Sequence, residues 1–148
     1  MNNWRDTCVD KTNTIRDTLV VINQSSLKIA LVVDHEMILL GTVTDGDVRR
    51  AMLNNVSMES SVAEIMNPRP ITAKGTQDKK ALTELMQRFV LMSIPIVLDN
   101  NQVVGLVSLH ELVKKPKRSN AVLLMAGGLG KRLSPLTNDC PKPLLKVG

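Results

Sequence analysis

The sequence predicts a mixed α/β fold: two similar helix-strand-strand-helix units over residues 1–113, then a new strand and a glycine-rich loop. Three observations predict it. Paired strand segments recur, Leu40-Gly-Thr-Val-Thr44 with Val104-Gly-Leu-Val-Ser108 and Ile29-Ala-Leu-Val-Val-Asp34 with Ile94-Pro-Ile-Val-Leu-Asp99, with Gly41 and Gly105 64 residues apart. Hydrophobic spacing switches between helical period and short buried runs. Charge also breaks sharply: residues 1–113 carry 11 Lys/Arg against 13 Asp/Glu, and residues 114–148 carry 8 against 1.

The elements follow in order. Ile15, Leu19 and Ile22 stand at i, i+4, i+7, which places one apolar stripe along a helix. Ile29–Val33 is a Val/Ile/Leu run bounded by Asp34, and Asp34-His-Glu-Met37 supplies a polar turn that leaves His35 facing solvent. Leu40–Thr44 is the second strand. A helix is expected from Asp45 to Leu53, with Asn54-Asn55 past its end. The second unit repeats the scheme. Leu82, Leu85, Met86 and Phe89 mark its helix, Ile94–Leu98 its first strand, Asp99-Asn-Asn-Gln102 the turn, and Val104–Ser108 the second strand before a short helix. Lys114-Lys-Pro-Lys-Arg-Ser119 is a charged, proline-broken linker. Ala121–Met125 then starts a new buried strand.

Composition excludes several classes. An apolar share of 43% supports a buried core, built from aliphatics because Trp4 and Phe89 are the aromatic residues. The basic tail has no aromatic platforms interleaved with its charge, which argues for a phosphate partner rather than nucleic acid. Cys8 and Cys140 form no CxxC motif and no metal cluster, so two free thiols in a reducing, cytoplasmic setting are expected. The N-terminus lacks the pattern of a signal peptide, and no apolar run approaches membrane-spanning length.

Gly41-Thr-Val-Thr-Asp-Gly-Asp47 sits where a strand ends and a helix begins. Thr44 can donate a hydroxyl to a phosphate, and the Asp47 carboxylate can accept both hydroxyls of a ribose. The same residues would also cap the helix with no ligand present, and spacing alone favours the cap. Arg49 and Arg50 can reach a phosphate or form a solvated helix face, the commoner role of adjacent arginines. Ser108, His110 and Glu111 are sequence neighbours that cannot converge as a catalytic triad.

The repeat and this heptad resemble a CBS-domain pair over residues 1–113, the first repeat about 1–60 and the second about 61–113. Val62-Ala-Glu-Ile-Met66 resembles the opening of a second CBS motif. The resemblance implies two β-α-β-β-α repeats, a homodimer formed through them, and an adenosine nucleotide (AMP, ADP or ATP) held by Thr44 and Asp47. Thr44-Asp-Gly-Asp-Val-Arg-Arg50 is similar to a form seen in CBS modules attached to sugar-phosphate enzymes. The second repeat departs from the pattern. Glu111 stands where Asp is expected and must withdraw to leave room for a ribose.

The tail carries Met125-Ala-Gly-Gly-Leu-Gly-Lys-Arg132 and Pro141-Lys-Pro-Leu144. Glycines let backbone amides approach phosphates, Arg132 offers a planar fork, and prolines stiffen the backbone around Lys142. A Walker P-loop fails because Arg132 stands where Ser or Thr is needed, and GxGxxG fails at Leu133. With Pro135-Leu-Thr137, the segment from Asn120 to Gly148 resembles the N-terminal signature of sugar-1-phosphate nucleotidyltransferases, the mannose-1-phosphate guanylyltransferase type included. That implies the first strand and loop of a Rossmann-like domain over 120–148. Ala126, Gly127, Gly128 and Gly130 would bind NTP, and Arg132 and Lys142 would be catalytic in attack of a sugar 1-phosphate on the α-phosphorus. It also implies Mg²⁺, whose ligands lie further along that fold. The signature breaks off at Gly148, so the expectation is a nucleotide-binding module without turnover of its own. The alternative is a ligand-free dimerisation module of the same enzyme.

Overall fold

A computed structural model describes residues 3–25 and 27–113, with Pro135 and Asn138. The chain divides into two compact units, Met1–Lys114 and Lys115–Gly148. The linker and the strand expected at 121–125 lie outside the described residues.

The first unit holds two β-α-β-β-α repeats. The first comprises β1 (Cys8–Asp10), α1 (Ile15–Gln24), β2 (Ile29–Val33), β3 (Leu39–Thr44) and α2 (Asp45–Leu53). The second comprises β4 (Ala73–Lys74), α3 (Lys79–Arg88), β5 (Ser93–Val97), β6 (Val103–Ser108) and α4 (Leu109–Val113). Each repeat builds a three-stranded sheet, ordered β1-β2-β3 or β4-β5-β6. The leading strand pairs parallel to the middle one, and the last two form an antiparallel hairpin. The leading strands are three and two residues long, too short to leave a period in the sequence.

Helix boundaries follow local chemistry. Thr14 caps α1 by accepting the amide of Asp17 at 3.0 Å, and Asp78 caps α3 by accepting the amide of Ala81 at 2.7 Å. α2 and α3 end in Schellman turns. After α2, the amide of Val56 donates to Ala51 O and that of Asn55 to Met52 O; after α3, Leu91 donates to Met86 O and Val90 to Gln87 O. Asn55 and Val90 occupy the left-handed position, with φ 58 and 54.

β2 is buried along its whole length, which accounts for its unbroken apolar run. Ala30 and Val32 face a core with Ile15, Ile22, Val43, Val48 and Val62. Ile29, Leu31 and Val33 face a second core that also takes Val97, Val103 and Leu106 from the other repeat. A third core joins Ala73, Leu82, Met86, Ile94 and Ile96. The repeats thus share apolar surface, each fully buried aliphatic contributing roughly 1.5–3 kcal/mol.

One detail corrects the sequence match. Ile29 pairs with Thr44 and Ser93 with Ser108, so the counterpart of Ile94 is Ala30 rather than Ile29. A one-residue slip exchanges the two faces of a strand, and only burial decides between them.

The two hairpin turns meet. The amide of Leu39 donates to Asn101 O at 3.0 Å, and Asn101 Nδ2 donates to Leu39 O at 2.7 Å. The segment between repeats folds back on the first one. Val62 is wholly buried in the first repeat's core, and Asn67 exchanges backbone hydrogen bonds with Thr42 at 3.1 and 2.9 Å. Gly41 makes that approach possible, since a Cβ there would lie 2.8 Å from both Asn67 O and Met66 Sδ. Cys8 is a free thiol, and burial pushes its pKa up to about 11. His35 is solvent-facing, as its turn predicts. Cys140 lies outside the described residues.

Candidate functional site

The site grows from the β3–α2 junction. Thr44 ends β3 in extended conformation and is the N-cap of α2. Asp47, in the helix's first turn, reaches back. Its Oδ2 accepts the Thr44 amide at 2.7 Å and the Thr44 hydroxyl at 2.6 Å, one half of a capping box. Its Oδ1 accepts a charged hydrogen bond from Arg50 Nη2. The cap read from spacing is therefore present.

The same junction also walls a cleft of about 430 Å³, within the usual size range of small-molecule sites. Thr42, Thr44, Gly46, Asp47 and Arg50 come from the first repeat. Pro70, Ile71, Leu91, Met92 and Pro95 come from the second and make much of the lining apolar. Polar hydrogen-bonding groups and apolar surface suited to a flat base thus line one cavity. Lys28 and Arg50 are its cations and Asp45 and Asp47 its carboxylates.

The adjacent arginines part company. Arg49 pairs with Asp45 at 2.9 Å on the exposed helix face, the solvated role, whereas Arg50 lines the cleft. The second repeat carries the matching junction. Ser108 Oγ accepts the Glu111 amide at 3.3 Å, and Glu111 Oε2 accepts the Ser108 amide at 3.5 Å, a looser cap. A cleft of about 450 Å³ lies beside it, lined by Leu27, Lys28, Met92, Ser93, Ser108, His110 and Glu111. Ser108 and Glu111 act there as a helix cap.

Sequence reading singled out Thr44 and Asp47 and favoured a solvated face for Arg50, and the fold brings all three to one cavity. It missed Lys28, Asn67, Pro70, Ile71 and the Val90–Met92 turn, which come from distant stretches with no shared pattern. The apolar run Phe89-Val-Leu-Met92 after α3 was the available signal, and the structure leaves Val90 87% and Met92 70% exposed. Ala126, Gly127, Gly128, Gly130, Arg132 and Lys142 lie outside the described residues. Among the described residues, no three His, Cys, Asp or Glu side chains are grouped to hold a metal ion. The Mg²⁺ implied by the tail has no ligand set there. No helix among the described residues is long and apolar enough to cross a membrane.

Fold and cleft define a tandem β-α-β-β-α module with a cavity at a strand-to-helix junction. The CBS domain model matches residues 4–54 and 62–118, more than half of the chain, and the chain belongs to that family. A nucleotidyl transferase model matches residues 121–148. Arabinose 5-phosphate isomerase KdsD of Escherichia coli is 32% identical over 108 residues, covering 72% of this chain and 32% of that protein. An uncharacterized protein of Helicobacter pylori is 33% identical over 101 residues, covering 67% of this chain and 30% of its own length. The chain thus spans about a third of the curated relatives it matches.

Solved structures share the fold. A CBS domain pair in complex with 5′-methylthioadenosine and S-adenosyl-L-methionine superposes with a TM-score of 0.64 at 22% identity, covering 71% of this chain and 82% of that one. CBSX2 in complex with AMP gives a TM-score of 0.64 at 18% identity, covering 72% and 83%.

Proposed function

We propose that this chain is a regulatory CBS module that binds an adenosine nucleotide in the cleft beside Thr44 and Asp47. The observation that carries the reading is the cleft itself, which sets a threonine hydroxyl and an aspartate carboxylate beside apolar surface contributed by the other repeat. The ligands of two structural neighbours, AMP in one and adenosine-containing compounds in the other, support the choice of adenosine. Ribose hydroxyls would bind Asp47, the phosphate would lie near Thr44 and Arg50, and the base against Pro70, Ile71 and Leu91.

The module is proposed to serve a sugar-1-phosphate nucleotidyltransferase, which transfers a nucleotidyl group from NTP to a sugar 1-phosphate with release of pyrophosphate. The match of residues 121–148 to a nucleotidyl transferase model supports this. There Ala126, Gly127, Gly128 and Gly130 would cradle the NTP, while Arg132 and Lys142 would neutralise charge on the reacting phosphates. Mg²⁺ would neutralise phosphate charge when bound. A second reading, service to a sugar-phosphate isomerase, is favoured by the identity to KdsD. Assay of the full-length protein separates them: pyrophosphate release from NTP and sugar 1-phosphate supports the first, aldose–ketose phosphate interconversion the second. A homodimer through the CBS repeats is proposed as well. Exposed Met52 and Leu53 at the end of α2 are suited to it, and light scattering tests it.

Calorimetry of the chain with AMP, ADP and ATP tests nucleotide binding. Saturable heat with at least one is expected, and Asp47→Ala is expected to abolish it. No heat with any of the three would leave the dimerisation role. Binding undiminished in Asp47→Ala would reduce Asp47 to a helix cap.

A further inference from the structure

Every oxygen of the Asp47 carboxylate is already committed. Oδ2 serves the amide and hydroxyl of Thr44, and Oδ1 serves Arg50. The carboxylate offers about four acceptor sites and three are taken, so a ribose that places both hydroxyls on Asp47 must displace one of these donors. The Thr44 amide bond belongs to the start of α2 and is fixed by the backbone, while the Thr44 hydroxyl can turn only about its own side chain. Arg50 is different. Its side chain is 69% exposed, while that of Asp47 is 14% exposed, so Arg50 is the partner free to swing away.

Its path is short. A Cβ on Gly46 would lie 3.6 Å from Arg50 Nη1, so the guanidinium already lies close to the first turn of α2, beside the cleft. The other cation of the cleft is held differently, by a backbone oxygen rather than by Asp47. Lys28 Nζ donates to Asn23 O at 3.2 Å, in the loop before β2. Asp45 does not compete for Arg50, because it is paired with Arg49. In the second repeat His110 stands where Gly46 stands in the first, and the counterpart of Arg50, Lys114, lies outside the described residues.

We infer that Arg50 is the specificity-determining residue of this cleft, a counter-ion that guards Asp47 and transfers to the phosphate of an incoming ribonucleotide. This rests on the proposed nucleotide-binding function. A nucleoside without phosphate gives Asp47 its ribose hydroxyls but leaves the displaced guanidinium only water to bind. A nucleotide replaces it with a charge-assisted, forked contact between guanidinium and phosphate, about twice as strong as a neutral hydrogen bond. The cleft therefore selects phosphorylated ribonucleosides over nucleosides, and one exchange of partners couples ribose recognition to phosphate recognition.

Calorimetry of the full chain with AMP and with adenosine, on wild type, Arg50→Gln, Arg50→Lys and Lys28→Gln, tests this. Arg50 and Lys28 are surface side chains, and circular dichroism checks that each variant folds. Arg50→Gln is expected to weaken AMP about tenfold while adenosine binds as well as before or better. Arg50→Lys is expected to recover part of the AMP preference, and Lys28→Gln to keep it. Equal weakening of AMP and adenosine by Arg50→Gln would overturn the inference. So would loss of the preference in Lys28→Gln instead, or a wild type that binds both ligands equally. A wild type that binds neither overturns this inference, and the nucleotide-binding function falls with it when ADP and ATP give no heat either.

Discussion

Gly41 and Gly105 occupy equivalent places in the two hairpins, yet they answer to different neighbours. A Cβ on Gly41 would meet the backbone oxygen of Asn67 at 2.8 Å, whereas one on Gly105 would meet Ile96 side-chain atoms at 3.6 Å, ordinary contact. Gly41→Ala is expected to cost about 2–3 kcal/mol of stability, because backbone must move, and Gly105→Ala less than about 1 kcal/mol. Urea unfolding of the two variants side by side checks this, and equal costs would refute it. The repeat marks both glycines from sequence. It cannot say which one the chain folds back upon, because the Asn67 contact exists only once the segment between repeats has docked. Asp47 poses the same problem in chemical form. Its spacing from Thr44 reads both as cap and as ribose acceptor, and the structure shows the cap in place and the cleft beside it.

The helix ends show how an element reports its own limits. Asn54-Asn55 after α2 is a legible stop, because asparagine tolerates the left-handed position that a Schellman turn requires. α3 uses the same turn with Val90 there, at φ 54 and 87% exposed. A β-branched residue in that region is strained and has little packing to offset it. Val90→Gly is therefore expected to stabilise the protein by roughly 1 kcal/mol, since glycine adopts the conformation without a Cβ clash. A rise in the urea midpoint checks it; a fall would mean that Val90 packing outweighs the strain. Valine carries no stop signal, so the end of α3 was legible only through its apolar stripe, which extends to Phe89. β1 and β4 left no signal, because two or three residues cannot display a period.

At the scale of the molecule, the repeats are held by the shared core and by the meeting of their hairpin turns. Asn101 stands at φ 66 and donates its side-chain amide across the repeats to Leu39 O. Asn101→Ala removes that bond and puts alanine in a left-handed turn, so a loss of about 2 kcal/mol is expected in thermal or urea unfolding. A loss under about 0.5 kcal/mol would mean that the turn contact adds little to the shared core. By itself the sequence determined the helices and hairpin strands of both repeats, the α2 boundaries and the candidate pair Thr44 and Asp47. These depend on neighbours within a few residues, where backbone period and capping chemistry are local. Only the tertiary structure decided the register that makes Ala30 the counterpart of Ile94, the return of Val62–Asn67 onto the first repeat, and the cleft. That cleft joins residues 42–50 to residues 67–71 and 90–95. No local rule links such segments, because burial of apolar surface is non-directional and their meeting is settled by how whole faces pack.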